Sequence, residues 1–513
     1  MIDSCNLEGA YDDKCALHCI KGKYQDDKIS GVLDDFYIIL IQYLFADFQS
    51  NYRSSGVSFD QFREYLAGQD NEIIENRLEN SITIINGVFF PEYSVQDSSH
   101  FLHLLNRLKR VQFGKCDFTT QQVDLKNIRV QFFECLFHEE YTISNHAELL
   151  EGESDVLYQN CEFLSDVVFI KTAFDKPRAI YRSPIFGDCK FRRPIHIEKV
   201  QIESQIFIDY DHPRKPIVKV LALYIKDSVI NVNFKFNQYS LSSLLIEDSI
   251  FKKKVELKHN IIRETRITNT NFEGLFDAYE SSYTLFKASK SIFDDFTGFE
   301  KCIFGDQKDK TIAKVEFEYV TFMSFTNFRK ATFFNGLSLE HTNLKESPNF
   351  LNAVIGDENT DRETYRIIKH SFDKIGNQIE ANKYYSHEMR KYKEELKAFK
   401  VESSEWFILW FNEKVSNFGS SIGRPFSLLL ACAFIYYLLV LGYESNLLYK
   451  YLSNNNIAFI EKLSSQLNKF ASGIPPYGRF LKEGMEFVTL LFHLFFLIFT
   501  WHFIVAVKRC AKR

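Results

Sequence analysis

The sequence lacks several patterns that usually mark an enzyme or a nucleic-acid-binding protein. Among its 513 residues, 62 Lys and Arg stand against 67 Asp and Glu, so the net charge is −5 and the charge balance favours no nucleic-acid partner. A Gly-rich phosphate-binding loop is absent, and His138-Glu139-Glu140 lacks the second His of a His-Glu-x-x-His zinc motif. Acidic pairs such as Asp294-Asp295 are typical of surface turns. We therefore expect a protein that is not an enzyme and binds no nucleic acid.

The chain opens without the apolar run of a cleavable signal peptide, since Met1 to Ala10 are polar and acidic. Its ten cysteines are scattered, and five of them stand at repeat positions where a thiol acts as a small hydrophobe. These features predict that most of the chain lies in a reducing cytosol with free thiols.

Phenylalanine and tyrosine are abundant, at 52 and 26 residues, and one Phe-containing pattern recurs between Phe113 and Phe350. A small residue or a Cys stands two places before a large apolar one, at roughly 20-residue spacing, which is the range of repeat architectures. The instances are Cys116-Asp117-Phe118, Cys135-Leu136-Phe137, Cys161-Glu162-Phe163, Cys189-Lys190-Phe191, Ser249-Ile250-Phe251, Thr270-Asn271-Phe272, Ser291-Ile292-Phe293, Cys302-Ile303-Phe304 and Ala331-Thr332-Phe333.

Alternation with period two directs the small residue and the Phe to the same face, while the residue between them points to solvent. One coil cannot bury its apolar side alone, but a stack of coils forms a continuous core. Residues 111–351 are therefore expected to form a mainly β, right-handed β-solenoid with its Phe side chains stacked from coil to coil. A leucine-rich repeat has a similar period, but its Leu ladder and Asn position are missing.

This motif resembles the pentapeptide-repeat family in a degenerate form, in which a small residue precedes a central Leu or Phe by two places. The resemblance covers the middle half of the chain. Phe outnumbers Leu, and the spacing drifts between Cys161 and Ser249, where irregular coils or loops are expected.

Residues 1–110 are expected to form a mostly helical cap over the open end of the solenoid, which would prevent edge-to-edge pairing. Asp34 to Phe48 carries apolar residues at helical spacing, and Ser58 has the character of a helix N-cap. Phe101 to Arg110 is predicted to be a short helix. Ser81 to Tyr93 alternates like a strand, and the solenoid is expected to begin there.

One group in this region has the ligand number of a structural zinc site: Cys5, Cys15, His18 and Cys19. Their spacing is not that of a standard zinc finger, so ordinary buried thiols are the alternative. Zinc is the one cofactor that the sequence suggests.

Residues 352–423 are expected to form a helical connector. Asp361 to Phe372 and Gln378 to Lys400 have helical periodicity, and Gly376-Asn377 between them suits a helix end. A helical hairpin is the preferred interpretation, and one unbroken helix is the alternative. The following segment contains Trp406 and Trp410, which favour an interfacial helix beside a membrane over one that packs on the solenoid.

Residues 424–513 are expected to form a hairpin of two transmembrane helices, Pro425 to Tyr443 and Phe487 to Val507. Basic residues flank the outer ends of both segments: Lys397, Lys400, Lys414, Arg424, Lys508, Arg509, Lys512 and Arg513. The positive-inside rule then predicts an inner-membrane protein with both termini and the solenoid in the cytoplasm, although the connecting loop also carries basic residues. Trp501 would share a membrane interface with Trp406 and Trp410.

Within the second segment, Thr489, His493 and Thr500 recur at helical spacing on one stripe. Polar groups inside a membrane are functional candidates, so the stripe could line a pore in an oligomer. The alternative is a hydrogen bond across the hairpin, to Tyr436 or Tyr437.

The order of parts resembles a group of bacterial membrane proteins with pentapeptide-type repeats. The first hypothesis is a non-enzymatic effector: the solenoid binds a ligand or partner, and oligomerised hairpins act as a channel or disrupt the membrane, as in phage defence. The second is a membrane-tethered scaffold that binds an unidentified protein partner without conduction. DNA mimicry, which the pentapeptide resemblance would also allow, is disfavoured by the anchor and the weak acidity.

Overall fold

The computed structural model describes residues 14–52, 56–92, 101–123, 125–126, 128–150, 155–169, 177–208, 218–398, 404–445, 457–472 and 480–511. The chain divides into two compact units, Met1–Asn359 and Thr360–Arg513. The first unit is mainly β and the second is helical.

The strands of the first unit are mostly two to five residues long, with four longer ones. They are β1 (Thr83–Asn86), β2 (Phe89–Phe90), β3 (Arg110–Gly114), β4 (Asp117–Phe118), β5 (Arg129–Phe133), β6 (Leu136–Phe137), β7 (Tyr141–Ile143), β8 (Glu148–Leu149), β9 (Tyr158–Gln159), β10 (Glu162–Phe163), β11 (Val167–Phe169), β12 (Ala179–Tyr181), β13 (Phe186–Gly187), β14 (Lys190–Phe191), β15 (Ile195–Glu198), β16 (Val200–Ile202), β17 (Phe207–Ile208), β18 (Val218–Lys226), β19 (Val229–Ile230), β20 (Phe234–Lys235), β21 (Tyr239–Glu247), β22 (Ile250–Phe251), β23 (Val255–Glu256), β24 (Ile261–Thr268), β25 (Asn271–Phe272), β26 (Phe276–Asp277), β27 (Ser282–Ser289), β28 (Ile292–Phe293), β29 (Thr297–Gly298), β30 (Ile303–Phe304), β31 (Val315–Glu318), β32 (Thr321–Phe322), β33 (Thr326–Asn327), β34 (Thr332–Phe333), β35 (Leu337–Ser338), β36 (Asn343–Leu344) and β37 (Val354–Ile355).

These strands form five sheets in which successive coils pair in parallel. Their orders are β1-β3-β5-β9-β13-β17 with β8 beside β5; β2-β4-β6-β10-β14; β7-β11-β15-β18-β21-β24-β27-β30-β34-β37 with β31 beside β27 and β35 beside β31; β12-β16-β19-β22-β25-β28-β32-β36; and β20-β23-β26-β29-β33. The stacked parallel strands confirm the mainly β, solenoid-like fold that the repeat predicts.

The Phe of the motif stacks on its counterpart in the next coil. Phe118 lies 5.0 Å from Phe137 between ring centroids, with the rings nearly parallel, and Phe137 lies 4.7 Å from Phe163. Further along the chain, Phe272 and Phe293 stack at 4.7 Å. These distances match the spacing of neighbouring strands, so each ring is covered on both faces and water is excluded from the column.

The corner before each small residue has a conformation that the sequence analysis did not identify. The residue there has a positive φ, which non-glycine residues adopt uncommonly. These corner residues are Lys115 (51°), Glu134 (52°), Asn160 (55°), Asp188 (50°), Asp248 (50°), Asn269 (48°), Lys290 (51°), Lys301 (58°) and Lys330 (57°). The small residue that follows turns inward and satisfies a backbone carbonyl: the Cys116 Sγ donates to Ile85 O at 3.2 Å, and the Ser249 Oγ donates to Glu247 O at 2.7 Å.

The regular stacking is interrupted once near the end of the first unit. From Phe272 to Phe293 the repeat takes 21 residues, but from Phe293 to Phe322 it takes 29. The long strand β27 consequently pairs with β30 through Ser282 and Tyr283, and with β31 through its last three residues. The sheet therefore branches at β27.

Four of the described helices precede β1: α1 (Tyr24–Ile29), α2 (Val32–Asn51), α3 (Phe59–Leu66) and α4 (Glu72–Asn80). A fifth, α5 (Phe101–Leu105), lies between β2 and β3. Phe36 of α2 packs edge-on against Phe90 at 5.9 Å, and Ser58 forms the predicted cap by accepting from the Gln61 backbone N–H. The helix expected over Phe101 to Arg110 is shorter than predicted, because β3 begins at Arg110 and takes the chain into the sheet.

The second unit begins with α6 (Arg362–Lys374) and α7 (Gln378–Ala398), which pack side by side. Gly376 between them has a φ of +77°, so the chain reverses there and one continuous helix is excluded. The remaining helices are α8 (Ser404–Ser416), α9 (Gly423–Glu444), α10 (Ile457–Ser472) and α11 (Glu486–Ala511). The sequence analysis did not predict α10.

Two helices, α9 and α11, are long and apolar enough to cross a membrane, with mean hydropathies of 2.1 and 2.2 over their most apolar windows. Only 6% and 11% of those windows is buried within the structure. Their apolar side chains are therefore largely exposed, unlike those of a core helix in a soluble protein.

Candidate functional site

The two apolar helices contact each other in an antiparallel pair, joined by a polar contact within the apolar segment. The Tyr436 hydroxyl lies 3.3 Å from the Thr489 Oγ1, and Thr489 is buried between the helices. Phe492 packs against the same tyrosine ring at 5.2 Å. Of the two tyrosines considered as hydrogen-bond partners, Tyr436 makes this contact, whereas Tyr437 is exposed.

The three residues of the predicted polar stripe in α11 differ in their exposure. Thr489 lies at the contact with α9, His493 is half-buried, and Thr500 is exposed. Within the described hairpin, the stripe therefore extends from the helix contact to the outer surface. Trp501, predicted at the membrane interface, is also exposed.

The end of α11 is held by a cluster of backbone and ring contacts, which we call the Arg509 clasp. The Arg509 guanidinium donates to Phe418 O in the turn between α8 and α9 and lies 4.6 Å from the centre of the Tyr385 ring of α7. The Asn382 Nδ2 donates to Arg509 O at 3.1 Å. Gly419 has a φ of +79°, and a Cβ there would lie 3.1 Å from the arginine Nη1. The sequence analysis missed this clasp, because its members are far apart in the chain.

The α8 helix is joined to α7 by polar contacts and exposes apolar side chains elsewhere. The Tyr392 hydroxyl donates to Glu405 Oε2 at 3.0 Å, and Lys393 pairs with Glu413. Phe407 and Trp410 are exposed, whereas Trp406 is half-buried. A polar side bound to protein and an apolar side that no described residue covers are consistent with an interfacial helix.

A buried carboxylate fixes the helical hairpin of the connector. Glu388 accepts from the Arg366 Nε at 3.3 Å and from the Lys369 Nζ at 3.0 Å, and its side chain is buried. Two cations from α6 thus neutralise one carboxylate from α7, which stabilises the antiparallel pairing of the two helices.

The candidate zinc ligands are only partly brought together. The Cys15 Sγ lies 3.0 Å from the His18 Nδ1, whereas the Cys19 Sγ donates to Ala16 O, and Cys5 lies outside the described residues. Burial, followed by the charges of Lys21 and Lys14, lowers the pKa of His18. Among the residues that the structure describes, no group of three His, Cys, Asp or Glu could hold a metal ion. A zinc site therefore stays a prediction.

A cavity of about 280 Å³ lies beside the branch point of the sheet. It is lined by Lys287, Lys314, Glu316, Phe317, Glu318, Tyr319, Ser338, Glu340 and His341. Lys287 belongs to β27, Glu316, Phe317 and Glu318 belong to β31, and Ser338 belongs to β35. Lys314 immediately precedes β31, and the other lining residues follow β31 or β35.

The cavity combines charge with an aromatic surface. The Lys287 Nζ binds Glu316 at 2.8 Å and Glu318 at 3.2 Å, and these hydrogen bonds, that to Glu316 first, raise the pKa of the lysine. The ring of Tyr319 is exposed and stacks parallel to that of His341 at 5.0 Å. Both residues have a positive φ, 54° and 57°, which is unusual for side chains of this size. Such a surface can stack on a planar or cationic group of a ligand.

One further sequence pattern has no catalytic geometry. Gly419-Ser420-Ser421-Ile422-Gly423 matches the Gly-x-Ser-x-Gly spacing of a serine nucleophile. In the structure it joins helix α8 to helix α9 and does not follow a strand, and the Ser421 N–H is bonded to Ser416 O at 3.0 Å. The strand-turn-helix context of a nucleophile elbow is therefore missing.

Comparisons with protein-family models, with curated protein sequences and with solved structures gave no match to this chain.

Proposed function

We propose that the chain is a non-enzymatic inner-membrane effector: its cytoplasmic solenoid binds a ligand or partner, and its hairpins assemble and open or disrupt the membrane. The observation that carries this proposal is a pair of long apolar helices whose side chains remain exposed. Exposed apolar surface of this extent is unfavourable in water and favourable in hydrocarbon, so a bilayer is the solvent that these helices fit.

The orientation follows from the basic residues beside the helix ends. Lys414 and Arg424 lie near the start of α9, and Lys508 and Arg509 lie at the end of α11. These ends belong on the cytoplasmic side, with the solenoid and both termini. The first unit is, in this proposal, a right-handed solenoid of the pentapeptide-repeat type, as the small-residue-to-Phe motif suggests.

Assembly of several hairpins is supported by the outward-facing part of the polar stripe. Thr500 is exposed on a helix surrounded by apolar side chains, and His493 is only half covered. Polar groups within a membrane usually face a protein partner or a water-filled path. A second copy of the hairpin would cover these two residues, and a ring of copies would surround a polar path.

The Arg509 clasp joins the connector to the membrane hairpin, which would allow the connector to transmit a signal to the spans. Arg509 at the end of α11 is held by Tyr385 and Asn382 of α7, and α7 is fixed to α6 through Glu388. A ligand or partner that moves the connector would therefore move the end of a membrane helix. In the cell this coupling would suit growth arrest or phage defence.

The test is reconstitution of the full-length protein in liposomes that contain a self-quenched dye, together with size measurement in detergent. We expect an oligomer that releases dye, with release altered in His493→Leu and Thr500→Val. Ile498→Val, an exposed apolar change on the other side of the same helix, is the matched control and should leave release unchanged.

A monomer that releases no dye would contradict the effector proposal and support the second candidate, a membrane-tethered scaffold. The cavity beside Tyr319 and His341 favours that candidate, because it offers a binding site on the solenoid that does not require conduction.

A further inference from the structure

The α10 helix, Ile457–Ser472, separates apolar from polar residues around its axis. At 100° per residue, Leu463, Leu467 and Phe470 fall within one narrow sector. Lys462, Ser465 and Lys469 fall on the opposite side. This arrangement is that of an amphipathic helix, whose polar side carries two lysines and Glu461.

The apolar sector is not covered by the rest of the described chain. Phe470 is 64% exposed and Leu463 is 45% exposed, although Ala471 beside them is fully buried. The helix packs against α11. One side of α10 therefore binds protein, and its large apolar side chains face outward.

Two hydrogen bonds fix α10 at the start of α11. The Asn468 Nδ2 donates to Gly484 O at 3.0 Å, and its Oδ1 accepts from the Phe487 backbone N–H at 3.1 Å. The second bond satisfies one of the N–H groups that a helix leaves free at its first turn. Asn468 thus ties the C-terminal half of α10 to one end of a candidate membrane span.

An ion pair lies at the same end of the hairpin, between the end of α9 and the segment that precedes α11. The Lys482 Nζ lies 2.5 Å from Glu444 Oε1 at the end of α9, and this hydrogen bond raises the pKa of the lysine. Charged groups at both helix ends belong in the headgroup region and not in hydrocarbon. Since α10 is tied to this level, its exposed apolar side chains lie where headgroups meet acyl chains.

We propose that α10 lies in the membrane interface on the side opposite the connector, with Leu463 and Phe470 inserted into lipid and Lys462 and Lys469 facing water and anionic headgroups. The inference rests on the proposed insertion of α9 and α11. It assigns the loop between the spans a role in lipid binding, so that the hairpin would be anchored at both surfaces of the bilayer.

Lipid is favoured over other occupants because the spans also expose apolar side chains near the end of the hairpin to which α10 is tied. Tyr443 at the end of α9 and Leu491 in the second turn of α11 are exposed as well. Because Asn468 holds α10 at the start of α11, an exposed apolar sector on α10 would meet lipid when the spans are inserted.

The test uses the full-length protein in vesicles of phosphatidylcholine and phosphatidylglycerol. The described cysteines are buried, so Cys5 and Cys510 are replaced by Ser and single reporter thiols are introduced for an environment-sensitive dye. Leu463→Cys and Phe470→Cys report the apolar sector, and Ser465→Cys and Lys469→Cys are matched controls on the same helix. Leu494→Cys reports the span.

We expect the dyes at positions 463 and 470 to lose most of their emission to nitroxide-labelled lipids and little to aqueous iodide, and those at 465 and 469 to show the reverse. If iodide alone quenches the dye at position 470 while labelled lipid quenches the dye at 494, the inference about α10 is wrong. The proposed insertion of α9 and α11 would still stand. Shielding of 470 from both quenchers would also overturn it, because a second copy or another protein would then cover the helix. Iodide quenching at 494 would instead contradict the proposed function.

Discussion

The guanidinium of Arg509, in the last turn of α11, lies 4.6 Å from the centre of the Tyr385 ring in α7. The two residues are 124 positions apart (509 − 385), and their contact joins the end of an apolar helix to the connector. The arginine also donates to Phe418 O, so both the ring and a backbone carbonyl fix its position. The clasp combines a cation–π contact with charge-assisted hydrogen bonding.

We expect Tyr385→Leu to destabilise the second unit by about 1 kcal/mol, which is the order of a cation–π contact at a partly exposed site. Tyr385→Phe keeps the aromatic face and should retain most of the stability. Thermal unfolding of the full-length protein in detergent measures both. Equal losses in the two variants would show that the hydroxyl, and not the ring face, stabilises the clasp.

We expect a larger loss of stability when Glu388 is substituted, because its buried carboxylate binds two cations. Glu388→Gln should lower the stability by about 1.5–3 kcal/mol, the range for hydrogen bonds to charged groups. Glu394→Gln on the same helix is the control, because Glu394 is exposed and pairs only with Lys391 in the described structure. A melting temperature unchanged in Glu388→Gln would contradict the stabilising role of the ion pairs.

The positive φ of the corner residues predicts how substitutions there change the stability of the first unit. Asn160 is exposed with a φ of 55°, so a β-branched side chain there is strained. We expect Asn160→Val to cost about 1–2 kcal/mol, and Asn160→Gly to be tolerated, since glycine adopts this conformation without a Cβ clash. Denaturant unfolding followed by circular dichroism compares the two, and equal stability would contradict the role of the corner.

The stacked core was predictable because its signal is local. Cys135 and Phe137 are two residues apart, and alternation alone places them on one face. The corner conformation at Glu134 was not predictable from residue type, because Lys, Glu, Asp and Asn all occupy equivalent positions. There the backbone follows from the coil geometry and not from intrinsic preference.

The contacts around the candidate site were less accessible to sequence reasoning. Periodicity identified Thr489 as a polar position in an apolar helix, and Tyr436 was one of two partners considered. The Arg509 clasp and the cavity beside Tyr319 depend on residues brought together by tertiary structure, which no single stretch of sequence encodes. The missed helix α10 is a different case: at 16 residues it is shorter than the two apolar spans on either side, and its residues were assigned to the loop that connects them.

We expect the stability of the first unit to depend on pH through Glu256, which has two half-exposed lysines as neighbours. Burial alone would raise the pKa of this carboxyl, but the hydrogen bond from Lys254 and the charges of Lys254 and Lys258 outweigh it, so its pKa is lowered in the folded state. The stabilising effect is therefore complete above the unfolded pKa, near 4.5, and is lost as the pH falls through the lower folded value.

Glu256→Gln should consequently reduce stability near neutral pH and lose less stability than the wild type on acidification. Melting temperatures measured between neutral and strongly acidic pH test this. Glu273→Gln, at an exposed corner of the same solenoid, is the control. Parallel curves for wild type and Glu256→Gln would contradict the assigned pKa shift.

The last prediction concerns the contact between Tyr436 and Thr489, which separates a structural role from a functional one. Hydrogen bonds between membrane helices contribute about 0.6 kcal/mol on average, so Thr489→Val and Tyr436→Phe should each change stability only slightly. A double-mutant cycle should give a coupling energy of that order, since removing both partners leaves no unpaired group. If Thr489→Val abolishes dye release while the coupling energy stays this small, the threonine acts in conduction as well as in packing. If release is unchanged in both single variants and in the pair, the contact serves only to hold the two helices together.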